Sequence, residues 1–307
     1  MKLKIIQNRK YFYAFSIILF LAAVFSLIAW GLKPGLDFTG GSLMEITFNN
    51  NRLANNEVQD SLAPLDLGEL KVQTAGDKGV ILRFKSVDED THQKILTTLS
   101  DKAKSVDPNE QIKENRFESV GPIIGKELEQ RAWLAIFLAM ACIILYIAYA
   151  FRKVSKPVAS WKYGVSAIIA LAHDITIVVG LFSILGHFLN IEIDSLFITA
   201  LLTILGFSVH DTIVVFDRTR ENLSKHYSAN LEEVVNDSVN QTLHRSINTS
   251  VTVLLALLAL YFLGGDSIKN FVLALIAGIA IGTYSSIFVA SPIIVDWNNF
   301  TKKLKQR

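Results

Sequence analysis

Two apolar stretches of the chain carry an aspartate where a membrane-spanning helix would be buried in hydrocarbon. Asp211 lies in "GFSVHDTIVVFDRTREN", and Asp174 lies in "LAHDITIVVG". A charged side chain at the centre of a spanning helix costs about 2.5–3.5 kcal/mol on insertion scales, and more in simulations. Burial favours the neutral acid and a nearby cation favours the carboxylate, so such a group is able to bind and release a proton. The chemistry that these residues suggest is proton transfer inside a membrane.

One basic residue stands out as a partner for Asp211. Arg245 precedes the fifth apolar stretch, and Thr249 follows it by about one helical turn. We expect Arg245 to reach inward and attract the Asp211 carboxylate. The alternative is an interfacial arginine that extends to the lipid headgroups. Asp211 and Arg245 are therefore the predicted proton pathway.

Several other polar residues are candidates for a supporting role. His173 and His210 each precede one of the two aspartates, and both are equally compatible with hydrogen-bonded packing. The same choice stays open for Asp174. Asp217 and Arg218 lie at the end of the fourth stretch, where charge costs little, so a role in topology is their default interpretation. We interpret the similarity of the two His-Asp pairs as coincidental.

The composition and the apolar stretches predict a polytopic α-helical membrane protein. The chain has 307 residues, of which 51% are hydrophobic. Six stretches are each close to the roughly 20 residues that a helix needs to cross the bilayer core. These stretches are Tyr11–Gly31, Trp133–Phe151, Gly164–Leu185, Ile191–Phe216, Ile247–Leu263 and Phe271–Val295.

The basic residues predict the orientation of the chain. Short loops rich in Lys and Arg stay in the cytoplasm, so we expect both termini there and the largest polar region in the periplasm. This protein would be a multi-pass protein of the bacterial inner membrane. The basic residues that support this orientation are Lys2, Lys4, Arg9, Lys10, Arg152, Lys153, Lys156, Lys162, Arg218, Arg220, Lys225, Arg245, Lys302, Lys303, Lys305 and Arg307.

The large polar region predicts a small α+β domain. Met44, Ile46 and Phe48 alternate with polar residues as in a half-buried strand, and "AGDKG" is typical of a hairpin turn. Further strand and helix patterns complete the order β-α-β-β-α-β of a ferredoxin-like fold. The region has more acidic than basic residues, which argues against nucleic-acid binding.

These patterns divide the chain into five parts and suggest one helix contact. Ala274, Gly278, Gly282 and Ser286 place a small residue every four positions in the sixth stretch, which favours close helix packing. A stripe of apolar residues in the cytoplasmic segment at about 218–245 suggests an amphipathic helix that lies on the membrane surface or against the bundle, or else an ordinary connector. The expected parts are a cytoplasmic N-terminus at 1–10, a first transmembrane helix at 11–32, a periplasmic domain at 33–128, a bundle of helices two to six at 129–297 and a basic cytoplasmic tail at 298–307.

Two glycine-rich motifs look like nucleotide loops but do not fit one. "GPIIGKE" has too few residues between its glycines and carries Glu127 where a P-loop needs Ser or Thr. "GLDFTGG" contains Asp37, Phe38, Thr39, Gly40 and Gly41, follows the first apolar stretch and opens no helix in our prediction. We expect a tight turn there that leads into the first strand.

Three motifs together resemble the SecF family. "GLDFTGG" follows span one, "SVHDTIVVFDRTREN" ends span four, and "HRSINTS" opens span five. The layout of six spans with one large outer domain is also similar to that of SecF, the smaller membrane partner of SecD in the resistance-nodulation-division superfamily. His210 departs from the family pattern, in which asparagine is frequent at this position.

The resemblance implies an accessory subunit of the bacterial Sec translocase. Such a subunit works with SecD beside the SecYEG channel, with YajC and YidC as further candidate partners, and uses the proton-motive force to help move preproteins across the membrane. Asp211 and Arg245 fall on the family's proton-pathway aspartate and arginine. A second aspartate of the pathway would come from SecD.

Two other functions remain alternatives to this expectation. Half of a small-molecule or lipid exporter would need a second large outer domain or a fused second half. A scaffold that moves no protons would tolerate loss of Asp211. An enzyme is disfavoured because no nucleophile, base and orienting group form a recognisable set, and we expect no metal or other cofactor. Proton stoichiometry and the surface that contacts a preprotein stay open.

Overall fold

The computed structural model describes residues 3–150, 158–225 and 230–305. Within these residues, six helices are long and apolar enough to cross a membrane, which confirms the predicted fold class. Lys2, Arg152, Lys153, Lys156 and Arg307, which contributed to the predicted orientation, lie outside the described residues. The six candidate spans are Arg9–Ala29, Pro122–Ile147, Trp161–Leu189, Ser195–Lys225, Leu231–Leu263 and Lys269–Thr301.

The chain divides into two compact units. One consists of Met1–Lys33 with Trp133–Arg307, and is called the bundle below; the other is Pro34–Ala132, called the α+β domain. The bundle and its connections use the helices α1 (Arg9–Ala29), α5 (Pro122–Ala150), α6 (Ser160–Leu189), α7 (Ser195–Lys225), α8 (Leu231–Leu263), α9 (Lys269–Ser285) and α10 (Ser291–Lys305).

The α+β domain has the predicted ferredoxin-like order of elements. Its sheet has the order β2-β3-β1-β4, and each neighbouring pair of strands is antiparallel. Met44 and Ile46 on β1 are buried, as are Val58 on α3 and Ile95 on α4, so two helices cover one face of the sheet. The elements after a short helical turn α2 (Leu36–Thr39) are β1 (Gly41–Phe48), α3 (Asn55–Leu62), β2 (Lys71–Ala75), β3 (Gly79–Phe84), α4 (Glu89–Val106) and β4 (Ile112–Val120).

The glycine motif before β1 forms a tight structure that requires two glycines. Contrary to our expectation, residues 36–39 form one helical turn before the chain bends. Gly40 has φ +70° and Gly41 has φ +116°, a region that residues with a side chain rarely adopt. A Cβ at Gly40 would lie 2.8 Å from the Cα of Pro122, and a Cβ at Gly41 would lie 2.9 Å from the carbonyl oxygen of Phe84. The motif therefore serves close backbone packing.

The second glycine motif packs directly against the first. A Cβ at Gly125 would lie 3.0 Å from the carbonyl oxygen of Phe38 and 3.1 Å from the backbone nitrogen of Gly40. Gly125 lies in the first turn of α5, which begins at Pro122. The two motifs that resemble nucleotide loops in the sequence thus have a shared structural role in this domain.

The predicted amphipathic helix is present and packs against the bundle, but it is not a separate element. The stripe that includes Val234, Val235 and Val239 belongs to α8, which continues without a break through the fifth span to Leu263. No glycine or proline separates the stripe from the span, so nothing in the sequence ends the helix between them. The stripe is buried in the core of the bundle.

The N-terminal segment packs against the polar side of α8. The side-chain amides of Asn236 and Asn240 donate to the carbonyl oxygen of Leu3 at 3.1 and 2.9 Å. Ile5 and Ile6 are buried in the bundle core. Residues that we expected to form a cytoplasmic end before the first span therefore contribute to helix packing.

The sixth span contains an irregular turn. Between α9 and α10, Ser286–Ala290 form a π-helix. The hydroxyl of Ser291 donates to the carbonyl oxygen of Ser286 at 2.9 Å, five residues earlier. Short π-helical segments inside helices are frequent at functional sites. This one immediately follows Ser285, which contacts a buried carboxylate described below.

Candidate proton-binding site

Helices α7 and α9 approach each other closely along a line of small residues. A Cβ at Gly278 would lie 2.2 Å from the Cδ1 of Ile204, and a Cβ at Gly282 would lie 3.0 Å from the Cβ of Ser208. One turn further, the hydroxyls of Thr212 and Ser286 are 2.8 Å apart. Ala274 is also fully buried on this side of α9. We call this contact the α7–α9 seam.

Asp174 on α6 lies beside this seam and is completely buried. Its Oδ2 accepts hydrogen bonds from the hydroxyls of Ser208 on α7 and Ser285 on α9, at 2.6 and 2.7 Å. Its Oδ1 lies 3.0 Å from the Nδ1 of His173. Hydrogen bonds of this kind offset the cost of burying a polar group. Both oxygens of Asp174 therefore have partners.

His173 connects this carboxylate to the first helix. Its ring stacks on Phe20 of α1, with a centroid distance of 6.3 Å and an interplanar angle of 6°. Its Nε2 is buried and has no hydrogen-bond partner among the described residues. The ring also lines an apolar groove of about 440 Å³ between α1, α6 and the end of the sixth span. Its lining combines apolar side chains with those of Tyr13, Ser16 and His173.

Asp211 on α7 is buried in a different way. Only 3% of its surface is exposed, yet its Oδ2 has no hydrogen-bond partner among the described residues. Its polar neighbours are His210, Thr283 on α9 and Ser246 on α8, with Arg245 at longer electrostatic range. The hydroxyl of Ser246 is likewise buried and without a partner in the described part of the chain. The hydroxyl of Thr283 bonds the Ser250 hydroxyl and the carbonyl oxygen of Ile279, at 2.6 and 2.8 Å, so in this arrangement it leaves the Oδ2 of Asp211 without a partner.

Arg245 lies within electrostatic range of Asp211 but forms no direct ion pair with it in the described structure. Among the described residues, no salt bridge within 4.0 Å joins them, and the Arg245 side chain is exposed. Thr249 donates to the backbone carbonyl of Arg245 at 2.9 Å, so its hydroxyl serves the helix and not the carboxylate. The cause is the placement of Ser246, not Arg245, on the buried side of α8.

Asp217 and Arg218 are placed away from this site. Asp217 pairs with Arg220 at 2.9 Å, and Arg218 contacts Glu221 and the side chain of Gln241 on α8. The first two contacts lie within the last turns of α7, and the contact with Gln241 joins α7 to α8. The structure does not bring either residue to Asp211.

A polar face of the bundle is exposed beside Asp211. On α7 it contains Thr203, Gly206 and His210, which recur at helical spacing; on α8 it contains Arg245 and Asn248. A Cβ at Gly206 would meet nothing within 4 Å. Polar groups on a lipid-facing surface are costly, so in a membrane this face needs a cover. We call it the open polar face.

Sequence reasoning missed the four hydroxyl residues that surround the two aspartates. These residues are Ser208, Ser246, Thr283 and Ser285. In apolar helices, serines and threonines frequently hydrogen-bond to the preceding turn of their own helix and have no other role, so their presence in the sequence predicts no site. Ser208 lies one turn before Asp211, and Ser285 lies on the small-residue side of the sixth span. The signal that the sequence offered was their position on the same helix sides as Asp211 and the small residues of the sixth span.

Comparison with known proteins agrees with this architecture. Residues 98–300 match the family described as "Protein export membrane protein SecD/SecF, C-terminal", and residues 25–51 match "SecD/SecF GG Motif". The chain is 45% identical over 305 residues to a protein translocase subunit SecF of Thermobaculum terrenum, covering 96% of this chain and 94% of that protein. It is 39% identical over 313 residues to a protein translocase subunit SecF of Synechocystis, and the match covers 98% of this chain and 96% of that protein.

A solved structure shows the same fold. The chain superposes on SecDF of Thermus thermophilus with a TM-score of 0.79 and 32% sequence identity. The match covers 97% of this chain but only 39% of the SecDF chain, so this protein spans about two fifths of that larger one.

The fold and the site define a class of multi-pass membrane protein with titratable groups inside its helical bundle. Among the described residues, no group of three or more His, Cys, Asp or Glu side chains is arranged to hold a metal ion. Sequence and structure comparisons then identify the family within this class. The chain belongs to the SecD/SecF family of protein export membrane proteins, whose named relatives are protein translocase subunits.

Our first prediction concerns the α7–α9 seam. We expect Gly278→Ala to destabilise the protein in detergent by about 1–3 kcal/mol relative to Gly206→Ala, because the new methyl group overlaps Ile204. Both changes gain the same helix propensity of about 0.8–1.0 kcal/mol, so the comparison isolates packing. Denaturant unfolding of the purified chain measures the difference.

A double variant tests the named contact. In an Ile204→Ala background, Gly278→Ala has room for its methyl group, so its cost decreases. An unchanged cost in that background would contradict the assigned contact.

Proposed function

We propose that this protein is a proton-coupled accessory subunit of the bacterial Sec translocase that works with SecD. Its activity would be to use the proton-motive force for a late step of preprotein movement across the membrane. The family and the named relatives support the translocase assignment. The proton-coupled part rests on the chain's own residues.

The observation that carries the proposal is the buried, incompletely bonded carboxyl group of Asp211. A buried carboxylate that serves only structure is expected to have its oxygens satisfied, as Glu110 of the α+β domain illustrates. Glu110 accepts from the backbone nitrogens of Asn50 and Asn51 at 3.0 and 2.8 Å. Burial acts to raise its pKa, but these backbone bonds outweigh burial and hold the pKa of Glu110 below its ordinary value. Asp211 has no such set of donors at Oδ2.

The protonation state of Asp211 changes its attraction to the neighbouring helices. When the carboxyl group is charged, it attracts Arg245 and the hydroxyls of Ser246 and Thr283; when it is protonated, that attraction weakens. Since Ser246 and Thr283 lie on α8 and α9, a change of charge on α7 alters the attraction among three helices. Such a change is the physical basis that a proton-driven movement requires.

The available energy is sufficient for such a movement. One elementary charge that crosses a membrane potential of 100 mV releases about 2.3 kcal/mol. Shifting a two-state equilibrium from 1:99 to 99:1 takes about 5.5 kcal/mol. About three protons would therefore suffice, and no other energy source or cofactor is part of the proposal.

SecD is the proposed cover of the open polar face. In SecDF of Thermus thermophilus the region similar to this chain is part of a longer chain that also includes SecD. A SecD helix packed against Gly206 and His210 would shield the open polar face from lipid. It would also place a SecD aspartate near Asp211 and Arg245. SecYEG, YajC and YidC are further proposed partners. Both termini would lie in the cytoplasm and the α+β domain in the periplasm.

The second candidate function is a scaffold that stabilises the translocase without moving protons. The exposed position of Arg245 and the extensive α7–α9 packing are compatible with it. The two functions differ in whether the charge of Asp211 matters.

We predict that Asp211→Asn abolishes the part of preprotein export that depends on the proton gradient. The assay is export into inverted membrane vesicles, measured with and without an imposed gradient in the presence of the matching SecD. Asn has nearly the same shape but no titratable proton, so assembly is preserved. The matched control is Glu233→Gln, which neutralises an exposed carboxylate in the first turn of α8.

The control should export like the unmodified protein under both conditions. Equal gradient dependence in Asp211→Asn and in the unmodified protein would support the scaffold function instead.

We also predict that the open polar face contacts SecD. A photo-reactive p-benzoylphenylalanine placed at Thr203 or Asn248 should cross-link to SecD, because both positions are exposed on the open polar face. The matched control is Leu145 on the exposed apolar side of α5, which we expect to face lipid. Cross-linking from Leu145 but not from Thr203 or Asn248 would place SecD on a different face.

A further inference from the structure

We infer that Asp174 is a positioning residue for Asp211. Its carboxylate fixes α7 against α9, the two helices that carry Asp211 and its neighbour Thr283. The biological meaning of this inference rests on the proposed function. That Asp174 sets the placement of α7 against α9 is tested without an export assay.

The contacts of Asp174 join three helices at one point. It lies on α6, and its Oδ2 accepts from Ser208 on α7 at 2.6 Å and from Ser285 on α9 at 2.7 Å. All three residues are buried. Because one oxygen receives both hydroxyls, neither α7 nor α9 can slide along the other without losing a buried hydrogen bond to the Asp174 carboxyl group.

The two anchored serines are adjacent to the wall of the Asp211 site. Ser208 precedes Asp211 by three residues on α7, so both lie within one helical turn. Ser285 follows Thr283 by two residues on α9. A Cβ at Gly282 would lie 3.0 Å from the Cβ of Ser208, so the backbones already touch at this level. The register that Asp174 fixes is therefore the register that places Thr283 beside Asp211.

An anchor is needed at this point because the sixth span is irregular there. The π-helix Ser286–Ala290 begins directly after Ser285. The hydroxyl of Ser286 reaches the carbonyl oxygen of Gly282 in its own helix and the hydroxyl of Thr212 on α7, both at 2.8 Å, but it does not contact α6 in the described structure. A wide turn has a less regular hydrogen-bond pattern than an α-helix. The bond from Ser285 to Asp174 ties the last regular turn of α9 to α6.

The groups around Asp174 distinguish this role from that of a second proton carrier. Among the described residues, His173 on its own helix is the titratable group that contacts it. Helices α7 and α9 present hydroxyls, and α1 presents Phe20 to the other side of the His173 ring. Both carboxylate oxygens are occupied, whereas Asp211 has an unbonded oxygen. The carboxyl group of Asp174 is thus held in place by its contacts, whereas that of Asp211 has an oxygen that can still take up a bond.

The test measures the protonation of Asp211 directly. Dicyclohexylcarbodiimide reacts with protonated carboxyl groups in apolar surroundings, and peptide mass spectrometry reports its addition to Asp211. The complete chain is reconstituted with SecD in vesicles, and labelling is followed from pH 5 to pH 9. The variants are Ser208→Ala, Ser285→Ala and Asp174→Asn. Two further variants are controls. Ser285→Thr retains the hydroxyl that bonds Asp174. Ser183→Ala removes a different buried hydroxyl, which donates to the carbonyl oxygens of Ser26 and Gly31.

We expect the midpoint of Asp211 labelling to move to lower pH by about 0.5–1 unit in Ser208→Ala, Ser285→Ala and Asp174→Asn. Looser helices admit water, and water stabilises the charged form of the carboxyl group. Ser285→Thr and Ser183→Ala should keep the midpoint of the unmodified protein.

Other results overturn the inference. An unchanged midpoint in all three loosening variants would show that Asp174 does not set the surroundings of Asp211. A shift of equal size in Ser183→Ala would show a general response to lost hydroxyls. Because labelling does not require export, a failure of proton-driven export with the expected labelling shifts would refute only the proposed function.

Discussion

The cost of removing a carboxylate from water governs the structure of this bundle. The chain buries two aspartates in helices that are long and apolar enough to cross a membrane, and it treats them differently. Asp174 is compensated by three short contacts from His173, Ser208 and Ser285. Asp211 keeps an oxygen without a partner. The first arrangement is stable in one protonation state, whereas the second can respond to a proton.

Close packing between α7 and α9 makes this difference possible. Gly278 and Gly282 remove the side chains that would keep the helices apart, and the short hydroxyls then reach across the seam. In lipid there is little hydrophobic gain from bringing helices together, so close contact and hydrogen bonds between helices supply the stability. The same seam brings Thr283 to Asp211. Packing and the site therefore depend on the same small residues.

Periodicity and length were sufficient to predict the elements of this fold. The alternation around Met44 and Ile46 gave the central strand, and the helical spacing of Ile95, Leu99 and Ala103 gave the second helix of the domain. The limits of the elements were less predictable. The polar part of α8 was interpreted as separate because its composition changes near Arg245, but a helix ends where capping or breaking residues occur, not where hydropathy changes.

The site was only partly predictable for a related reason. Asp211 and Asp174 are conspicuous because they are charged in an apolar context. Which neighbours they meet depends on the rotation of each helix, and this rotation placed Ser246 inward and Arg245 outward on α8. Serines and threonines give no comparable signal, because their hydroxyls bond their own helix equally well. The three-helix contact at Asp174 required the structure.

Proton flux is the most direct measurement of the central claim. The chain and SecD would be reconstituted in vesicles that contain a pH-sensitive dye, with a membrane potential imposed. We expect an inward acidification that requires Asp211 and disappears in Asp211→Asn while the complex stays assembled. Equal proton flux in Asp211→Asn and the unmodified complex would contradict the assignment of Asp211 as the proton-carrying group.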